Sequence, residues 1–404
     1  MLHDFNGENV MAELQEFIIE NYDKNQKIII YGAGVYGELC LRALQVYGIE
    51  VYAFADRRTD LLEYLGVKVI RPRDIKNISN AIVLITSINY IKQIVLYLKE
   101  EEIENYYKIS KLLRTEIDKE DLSDYAKRTR EDPLEYARKI DDYEKEELTI
   151  NNIDLVITQF CNLKCKDCGS LIPYYQKPCH FEYEKIVLYF DRFLQSVEYI
   201  KELRLLGGET FLYPDLVRLV DYYCNNSKIG KVVIYSNGVM KPADSIIEKL
   251  FNEKVLIRIS NYGKLSKSIT EIVDVCKSLN IKYEILDSMI WRDMGGVERR
   301  DYSKEQCINV YEKCENAKCP SFCKGKLYIC PRAAHGEVLG FYENGIDEYI
   351  DFTVDGVNYN DYKWKIEELL FGRNLFGACF YCNGNNKWEN AIPAAIQIDR
   401  EKEK

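Results

Sequence analysis

The amino-acid sequence predicts an α/β protein that ends in a small cysteine-rich extension. Apolar, strand-like runs alternate with amphipathic helical patterns, first from Lys27 onwards and again from residue 153, which is the pattern of strand–helix units. Cysteines are crowded after residue 300, and this separates the extension from the preceding part of the chain. We therefore expect segments at residues 1–115, 116–150, 151–300 and 301–404.

Composition restricts the partners and the cellular setting. The formal net charge of −10 at pH 7 provides no electrostatic basis for binding nucleic acid or an anionic membrane. The N-terminal residues lack the basic and apolar regions of a signal peptide, and no apolar run is long enough to span a bilayer. We therefore expect a cytoplasmic protein, in which 14 cysteines favour metal or thiol chemistry over disulfides.

The first segment begins with a strand, a glycine-rich turn and a helix. KIIIYGAGVYG places Gly32, Gly34 and Gly37 at this turn, and Asp56 ends the following strand. Glycines at this spacing let the backbone approach a phosphate, and the acidic residue can accept a hydrogen bond from a ribose hydroxyl. A third apolar run at residues 81–87 completes what is half of a dinucleotide-binding fold.

This segment resembles the small Rossmann-like nucleotide-binding domains attached to bacterial sugar-modifying enzymes, such as amino-sugar acetyltransferases. The resemblance implies a nucleotide or a nucleotide sugar as the ligand, rather than NAD. The alternative is that the glycines close a tight strand–helix turn without binding anything. Residues 116–150 are mostly charged, and we expect them to form exposed helices or a solvated linker.

A second strand-like run, at residues 153–158, leads directly into the sequence CNLKCKDCG. This sequence supplies three thiols, those of Cys161, Cys165 and Cys168. Three thiolates can bind three irons of a [4Fe–4S] cluster and leave the fourth iron open to a substrate or cofactor. A closed zinc site would need a fourth ligand from further along the chain, such as Cys179 or His180.

The C-x3-C-x2-C spacing after a strand resembles the signature of the radical S-adenosylmethionine (SAM) enzymes. The resemblance implies a partial (β/α)6 barrel whose strand ends bind SAM, with the carboxylate of Glu209 pairing with its ammonium group and polar side chains meeting its ribose. The matching positions in this sequence are Gly207, Gly208, Glu209, Ser236, Asn237, Ser260 and Asn261.

The sequence departs from this family at one position. The family usually has an aromatic residue just before the third cysteine, close to the adenine, whereas this chain has Asp167. Either backbone and apolar contacts hold the adenine, or another aromatic residue such as Phe160 or Tyr174 takes that place.

The last segment carries a second group of cysteines around a hairpin that turns at Gly325. It resembles the half-length, "twitch" form of the SPASM extension of radical SAM enzymes, which implies one auxiliary [4Fe–4S] cluster. Cys314 and Cys319 compete for one ligand position, and Cys323 is expected to be a spare thiol. A structural zinc ion is the alternative to the cluster. The candidate ligands are Cys314, Cys319, Cys330, Cys379 and Cys382.

The resemblance also implies the chemistry. An electron from flavodoxin or ferredoxin would reduce the first cluster, SAM would be cleaved to a 5′-deoxyadenosyl radical, and this radical would abstract a hydrogen atom from the substrate. The auxiliary cluster could then accept an electron, giving an oxidation. Alternatively, a thiol could return a hydrogen atom, giving an epimerisation, and Cys179 is the candidate for this role.

The combination of a nucleotide-binding half-domain, a radical barrel and a cysteine-rich extension resembles radical enzymes of bacterial polysaccharide and glycan assembly. It implies a sugar or nucleotide sugar as the substrate. Two alternatives are a peptide- or protein-modifying radical SAM maturase and a non-enzymatic iron–sulfur or zinc protein.

Overall fold

The computed structural model describes residues 11–14, 23, 25–58, 61–123, 126–127, 134–144, 148–342, 344–345, 347–386 and 389–398. The chain divides into two compact units, Met1–Glu147 and Leu148–Lys404. Among the described residues, no helix combines the length and the apolar character needed to cross a membrane.

The first unit is built on a mostly parallel sheet. Its strands are β1 (Lys27–Tyr31), β2 (Val51–Ala55), β3 (Glu63–Tyr64), β4 (Val67–Ile70), β5 (Ala81–Ile85) and β6 (Tyr106–Tyr107). They lie in the order β3-β4-β2-β1-β5-β6, and only the β3–β4 pair is antiparallel in this described sheet. The described helices are α1 (Val35–Val46), α2 (Ile91–Glu100) and α3 (Leu134–Glu144). The central strands are continuously apolar because both faces of the sheet are covered.

The segment expected to form exposed helices or a solvated linker contains helix α3 and packs into the core of the first unit. Tyr136 of α3 is fully buried; its hydroxyl donates to the Ile85 carbonyl (2.7 Å) and accepts from the Ile109 N–H (3.0 Å). The backbone N–H and the hydroxyl of Ser123 both donate to the Glu38 carboxylate. The unit thus extends well past residue 115, because a few apolar side chains in a charged segment are enough to bury one face. The others buried in this core are Ile117, Leu122, Ala126 and Ile140.

The second unit contains an eight-stranded sheet. Its strands are β7 (Thr149–Thr158), β8 (Tyr199–Gly207), β9 (Ile229–Ser236), β10 (Val255–Asn261), β11 (Lys282–Asp287), β13 (Ser321–Cys323), β14 (Lys326–Tyr328) and β15 (Tyr349–Asp351). They lie in the order β11-β10-β9-β8-β7-β13-β14-β15, and β7 to β11 are all parallel. A separate pair is formed by β12 (Ile290–Arg292) and β16 (Ala391–Pro393).

Helices alternate with the parallel strands, as the sequence predicts. They are α4 (Tyr183–Gln195), α5 (Leu216–Cys224), α6 (Asp244–Glu248) and α7 (Ile269–Ser278), and the part after residue 300 adds α8 (Lys304–Lys313), α9 (Pro331–Val338) and α10 (Lys363–Glu367).

The cysteine-rich part shares the sheet and the core of the strands before it. β13 pairs in parallel with β7, and the Asp154 N–H donates to the Pro320 carbonyl (2.8 Å). Phe322 of β13 packs edge-on against Phe190 of α4, and Phe352 after β15 does the same against Phe193. Residues 301–404 therefore belong to one compact unit with residues 148–300.

We expect Tyr136→Phe to lower the free energy of unfolding of the first unit by about 1–3 kcal/mol, because two buried backbone groups lose their hydrogen-bond partner. Thermal or urea unfolding measures this loss. Tyr47→Phe is the control, since its half-exposed hydroxyl accepts only a 3.4 Å hydrogen bond from Thr115. Equal stability of the two variants would show that the segment around α3 is a spacer after all.

Candidate functional site

The carboxyl ends of β7, β8, β9 and β10 meet at one edge of the sheet, because parallel strands end on the same side. A cavity of about 540 Å³ lies there. It is lined by the three thiols of the cysteine loop and by residues from each following strand end. The predicted site residues in the lining are Cys161, Cys165, Cys168, Gly207, Gly208, Ser236, Asn237 and Ser260.

Two glycines bring the ends of β7 and β8 into direct contact. The Gly208 N–H donates to the Thr158 carbonyl (3.0 Å), and the Glu209 N–H donates to the Phe160 carbonyl (2.8 Å). Gly207 has φ +141°, and a Cβ atom there would lie 2.1 Å from the Thr158 oxygen. A Cβ atom on Gly208 would lie 1.9 Å from the Phe160 oxygen. Only glycine fits at either position, so these two residues fix the start of the cysteine loop against β8.

Glu209 lies behind the cavity wall and joins two loops. It is 2% exposed, and its carboxylate accepts hydrogen bonds from the N–H groups of Asn237 (2.8 Å) and Phe211 (3.2 Å). Burial raises the pKa of this carboxyl group, and the two N–H donors oppose that effect. The structure thus gives Glu209 a positioning role between the loops after β8 and β9, whereas its pairing with an ammonium group stays a prediction.

The loops after β9 and β10 are also cross-linked by side chains. The Asn237 amide donates to the Asn162 side-chain oxygen (2.6 Å), which ties the β9 end to the cysteine loop. The Ser266 hydroxyl contacts the carbonyls of both Asn237 and Ser260, at 2.7 and 3.1 Å. Asn261 is not in the cavity lining; its side-chain oxygen accepts from the Gly263 N–H (2.9 Å) and shapes the turn after β10.

Burial raises the pKa of all three thiols of the cysteine loop, so they become thiolates only when a nearby cation stabilises the negative charge. Burial raises the pKa of Cys161 to about 12 and that of Cys165 to about 11. N–H donors already face two of these sulfurs: the Leu163 N–H lies 3.4 Å from Cys161 Sγ, and the Gln397 amide lies 3.2 Å from Cys165 Sγ. Buried thiols with N–H donors are what an iron–sulfur cluster requires of its ligands.

The aromatic side chains in the cavity come from positions that sequence reasoning did not select for the adenine. Tyr262 and Trp291 line the cavity and pack edge-on, with ring centroids 5.4 Å apart. Phe160 instead packs on His180, and Tyr174 packs on Phe341. Asp167, which stands where the family has its aromatic residue, is in the lining. Trp291 lies on β12, which pairs with β16 and is not one of the parallel strands whose ends carry the motifs.

Cys179 and His180 lie away from the cavity. Cys179 is exposed and its thiol donates to the Gln159 side-chain oxygen (3.4 Å), while His180 Nδ1 lies 2.9 Å from the Thr158 hydroxyl. Neither side chain is in the cavity lining. In the part of the chain that the structure describes, no group of three or more His, Cys, Asp or Glu side chains is arranged around a single metal ion.

A second, smaller cavity of about 30 Å³ gathers four cysteines from three separate places in the chain. The four are Cys314, Cys330, Cys379 and Cys382. Backbone N–H groups point at three of the sulfurs: Asn385 to Cys314 (3.2 Å), Ala333 to Cys330 (3.4 Å) and Gly384 to Cys382 (3.2 Å). Four thiols around one cavity are the donor type of an iron–sulfur cluster or a zinc site, although in the described residues they do not converge on the position of one ion.

Cys319 is outside this set of four. It lies beside Arg204 and Asp154, two residues of the neighbouring strands β8 and β7, and burial raises the pKa of its thiol to about 12. Of the two cysteines that compete for one ligand position, Cys314 lines the small cavity and Cys319 does not, and ligation by Cys314 stays a prediction. Cys323, expected to be a spare thiol, is fully buried on β13.

A buried arginine faces the thiols of both sets. Arg332 is 3% exposed, and its guanidinium donates to the Gly295 carbonyl (3.2 Å) and the Tyr342 hydroxyl (2.9 Å). Burial raises the pKa of Cys168, and the nearby Arg332 charge opposes that effect. The thiols of Cys330 and Cys382 in turn favour the charged guanidinium. A cation in this position stabilises thiolates on both sides, as anionic metal centres would need.

Ionisable residues on the strands form the floor of the larger cavity, and sequence reasoning missed them. Asp154 lines this cavity, is 5% exposed and has a carboxylate oxygen, Oδ1, without a hydrogen-bond partner. Burial raises its pKa to about 7, and the Arg204 charge lowers it in part. Arg258 of β10 bonds to Glu202 and to Tyr235, which also lines the cavity. The sequence did contain a signal for Asp154, because it lies between the apolar residues Ile153 and Leu155 on β7. Successive side chains of a strand point to opposite faces, so Asp154 must face away from these two neighbours.

In the first unit, the glycine-rich turn and Asp56 do come together. The Asp56 carboxylate accepts from the Ala33 N–H (2.9 Å) within that turn and pairs with Arg58 (2.9 Å). Although burial raises the pKa of Asp56, the Arg58 hydrogen bonds hold it below its usual value. A Cβ atom on Gly37 would lie 2.1 Å from the Gly32 oxygen, whereas one on Gly34 would meet nothing within 4 Å. Asp56 therefore stabilises the turn, and ribose binding stays a prediction.

Comparison with known protein families agrees with the cysteine-loop motif. Residues 155–262 match the family model described as the Radical SAM superfamily, and residues 24–109 match the one described as C2185-like, N-terminal. No curated protein matches the chain. The first match covers the cysteine loop and the loops after β8 and β9, and it ends at the first residue after β10.

Among solved structures, BtrN in complex with AdoMet and 2-DOIA is 12% identical, with 59% of this chain and 94% of that chain covered and a TM-score of 0.38. The structure of anSMEcpe with bound AdoMet and Kp18Cys peptide is 19% identical over 33% of this chain and 42% of that chain, at a TM-score of 0.25. Streptococcus suis SuiB bound to S-adenosylmethionine is 16% identical over 48% and 52%, also at 0.25. The chain thus spans about half or less of the last two proteins, and TM-scores this low carry no argument about substrate.

We expect Gly208→Ala to destabilise the second unit by about 1–3 kcal/mol and to reduce iron binding by the cysteine loop, because the new Cβ atom must push β7 and β8 apart. Thermal unfolding and iron analysis after anaerobic reconstitution measure both effects. Gly296→Ala is the control, since a Cβ atom there meets nothing within 4 Å. Wild-type stability and iron content in Gly208→Ala would contradict this account of the two glycines.

We expect Cys330→Ser to lose about four of about eight irons per chain, and Cys319→Ser to keep them all. The reason is that Cys330 is one of the four thiols around the small cavity, whereas Cys319 lies beside Asp154. Iron and acid-labile sulfide are measured after identical reconstitution. The reverse result, with iron lost only in Cys319→Ser, would return the fourth ligand position to Cys319.

Proposed function

We propose that this protein is a radical SAM enzyme that abstracts a hydrogen atom from a sugar or nucleotide sugar in polysaccharide biosynthesis. One observation carries the proposal: the thiols of Cys161, Cys165 and Cys168 share a cavity with the loops that follow β8, β9 and β10. The family match over residues 155–262 supports the same chemistry. A [4Fe–4S] cluster bound by these thiols would supply the electron that cleaves SAM.

The residues around the cavity have separate tasks in this proposal. Gly207 and Gly208 both line the cavity, so their backbone is available to SAM close to the cysteine loop. Ser260 offers a hydroxyl for the ribose, and Tyr262 and Trp291 offer aromatic faces for the adenine in place of Phe160 or Tyr174. Each of these residues lines the cavity, which supports its assignment.

We further propose that Cys314, Cys330, Cys379 and Cys382 bind an auxiliary [4Fe–4S] cluster. Four thiols around one cavity, three of which face backbone N–H donors, support an anionic centre in the small cavity together with the buried Arg332 charge. A bound cluster there could accept an electron from the substrate and make the reaction an oxidation. Cys319 joins Cys179 as a candidate hydrogen donor for an epimerisation, because it lies beside the cavity-lining Asp154; neither thiol is itself in the lining.

A polar substrate is supported by the cavity floor. The partnerless Oδ1 of Asp154 can accept a hydrogen bond, and buried acceptors of this kind are costly unless a ligand or water uses them. Glu315, Asn316 and Asn385 add polar side chains to the lining. Several acceptors and donors in one cavity suit the hydroxyl groups of a sugar. Peptide or protein modification is the alternative, because it uses the same SAM chemistry.

The test is an anaerobic incubation of reconstituted protein with SAM and dithionite, followed by iron analysis and quantification of 5′-deoxyadenosine. We expect about eight irons per chain and formation of 5′-deoxyadenosine. A triple Cys161/Cys165/Cys168→Ala variant is the control and should form none. Wild-type protein that binds zinc without iron and leaves SAM intact would instead be a metal-binding protein with no radical activity.

The substrate class is decided in the same assay by adding candidate compounds. Nucleotide sugars that accelerate 5′-deoxyadenosine formation, and that gain or lose mass or incorporate solvent deuterium, would support the sugar proposal. Turnover with peptides and none with sugars would support the maturase alternative. Flavodoxin or ferredoxin should replace dithionite as the electron donor in either case.

A further inference from the structure

The chain returns to the cysteine loop after its last strand. β16 pairs with β12, and residues 394–398, here called the C-terminal strap, then run antiparallel to residues 164–166 of the loop. The Lys166 N–H donates to the Ile396 carbonyl (2.8 Å), and the Ile398 N–H donates to the Lys164 carbonyl (2.9 Å). Ala395 of the strap is 2% exposed and packs with Leu163 and Cys165.

One side chain of the strap contacts a thiol directly. The Gln397 Nε2 donates to Cys165 Sγ (3.2 Å) and to the Ala395 carbonyl (2.7 Å). Its Oε1 accepts from the Lys164 N–H (2.7 Å). This amide therefore uses both ends: the oxygen holds the loop backbone next to Cys165, and the nitrogen gives the sulfur a hydrogen bond from 232 residues away in sequence.

We propose that Gln397 is a positioning residue that raises the reduction potential of the cluster bound by Cys161, Cys165 and Cys168. The inference rests on the proposed function, because it needs a redox cluster at these thiols. The proposal assigns a role to the C-terminal strap, which belongs neither to the cysteine motif nor to the strand-end loops.

The physical basis is the charge on sulfur. Reduction adds one electron to a cluster that is already anionic, so the thiolate sulfurs carry more negative charge in the reduced state. An N–H donor at a sulfur stabilises that state more than the oxidised one, which raises the potential. Cys165 is 7% exposed, so little water is present to supply the same hydrogen bond.

Two variants separate this electrostatic effect from support of the loop. Gln397→Glu has the same shape and keeps an oxygen for the Lys164 N–H, but it replaces the N–H donor near Cys165 with a carboxylate oxygen. Gln397→Leu has a side chain of similar size and makes neither hydrogen bond. A shorter substitution such as alanine would let water replace the lost donor, so it is less informative.

The measurement is a potentiometric titration of the reconstituted full-length protein followed by electron paramagnetic resonance, together with iron analysis. The signal that changes when SAM is added identifies the cluster at the cysteine loop. We expect a more negative midpoint potential in Gln397→Glu and in Gln397→Leu, with the iron of the Glu variant retained. Gln195→Leu, a change of the same kind at an exposed position, is the control and should leave potential and iron unchanged.

The outcomes separate the two proposals. Full iron with an unchanged potential in both variants would overturn the role of Gln397 and leave the proposed function intact. Iron lost in both variants, with an unchanged potential in what cluster is left, would show that Gln397 only supports the loop. Wild-type protein without any cluster signal would overturn the proposed function and this inference together.

Discussion

The close approach of β7 and β8 at their carboxyl ends is the constraint on which the site depends. Two backbone hydrogen bonds, from Gly208 to Thr158 and from Glu209 to Phe160, join the strand ends at the point where the cysteine loop begins. No side chain fits between them at Gly207 or Gly208. The first thiol is therefore fixed relative to the sheet before any cofactor binds. Glu209 is buried behind this junction and holds the loop after β9 by accepting a hydrogen bond from the Asn237 N–H.

Burial of ionisable groups is the second feature that organises the molecule. Burial raises the pKa of the Cys161 thiol beside the larger cavity and of the Cys330 thiol beside the smaller one, so both are protonated at neutral pH unless a cation stabilises the thiolate. N–H donors and the buried guanidinium of Arg332 supply part of that stabilisation. Such arrangements are costly in a folded protein without a compensating ligand, which makes both cavities candidate functional sites.

Completion of the larger cavity depends on residues distant in sequence. β13 extends the sheet beside β7, the pairing of β12 with β16 brings Trp291 into the cavity wall, and the C-terminal strap covers the cysteine loop. The part after residue 300 therefore contributes to the first site as well as containing the second. An electron carrier or a substrate would meet a single compact unit rather than two separate modules.

The sequence by itself determined the alternation of strands and helices, the position of the cysteine loop after a buried strand, and the strand-end residues Ser236 and Ser260, because periodicity and local motifs specify local structure. The family match over residues 155–262 agrees with what those motifs predict. Only the tertiary structure decided that Cys314 rather than Cys319 lines the small cavity with Cys330, and that the charged segment before residue 148 packs on the first unit. It also decided that Asp154 lines the larger cavity and that Gln397 contacts Cys165. These contacts join residues that are far apart in sequence. Contacts of this kind leave no periodic pattern in the sequence, so periodicity cannot predict them.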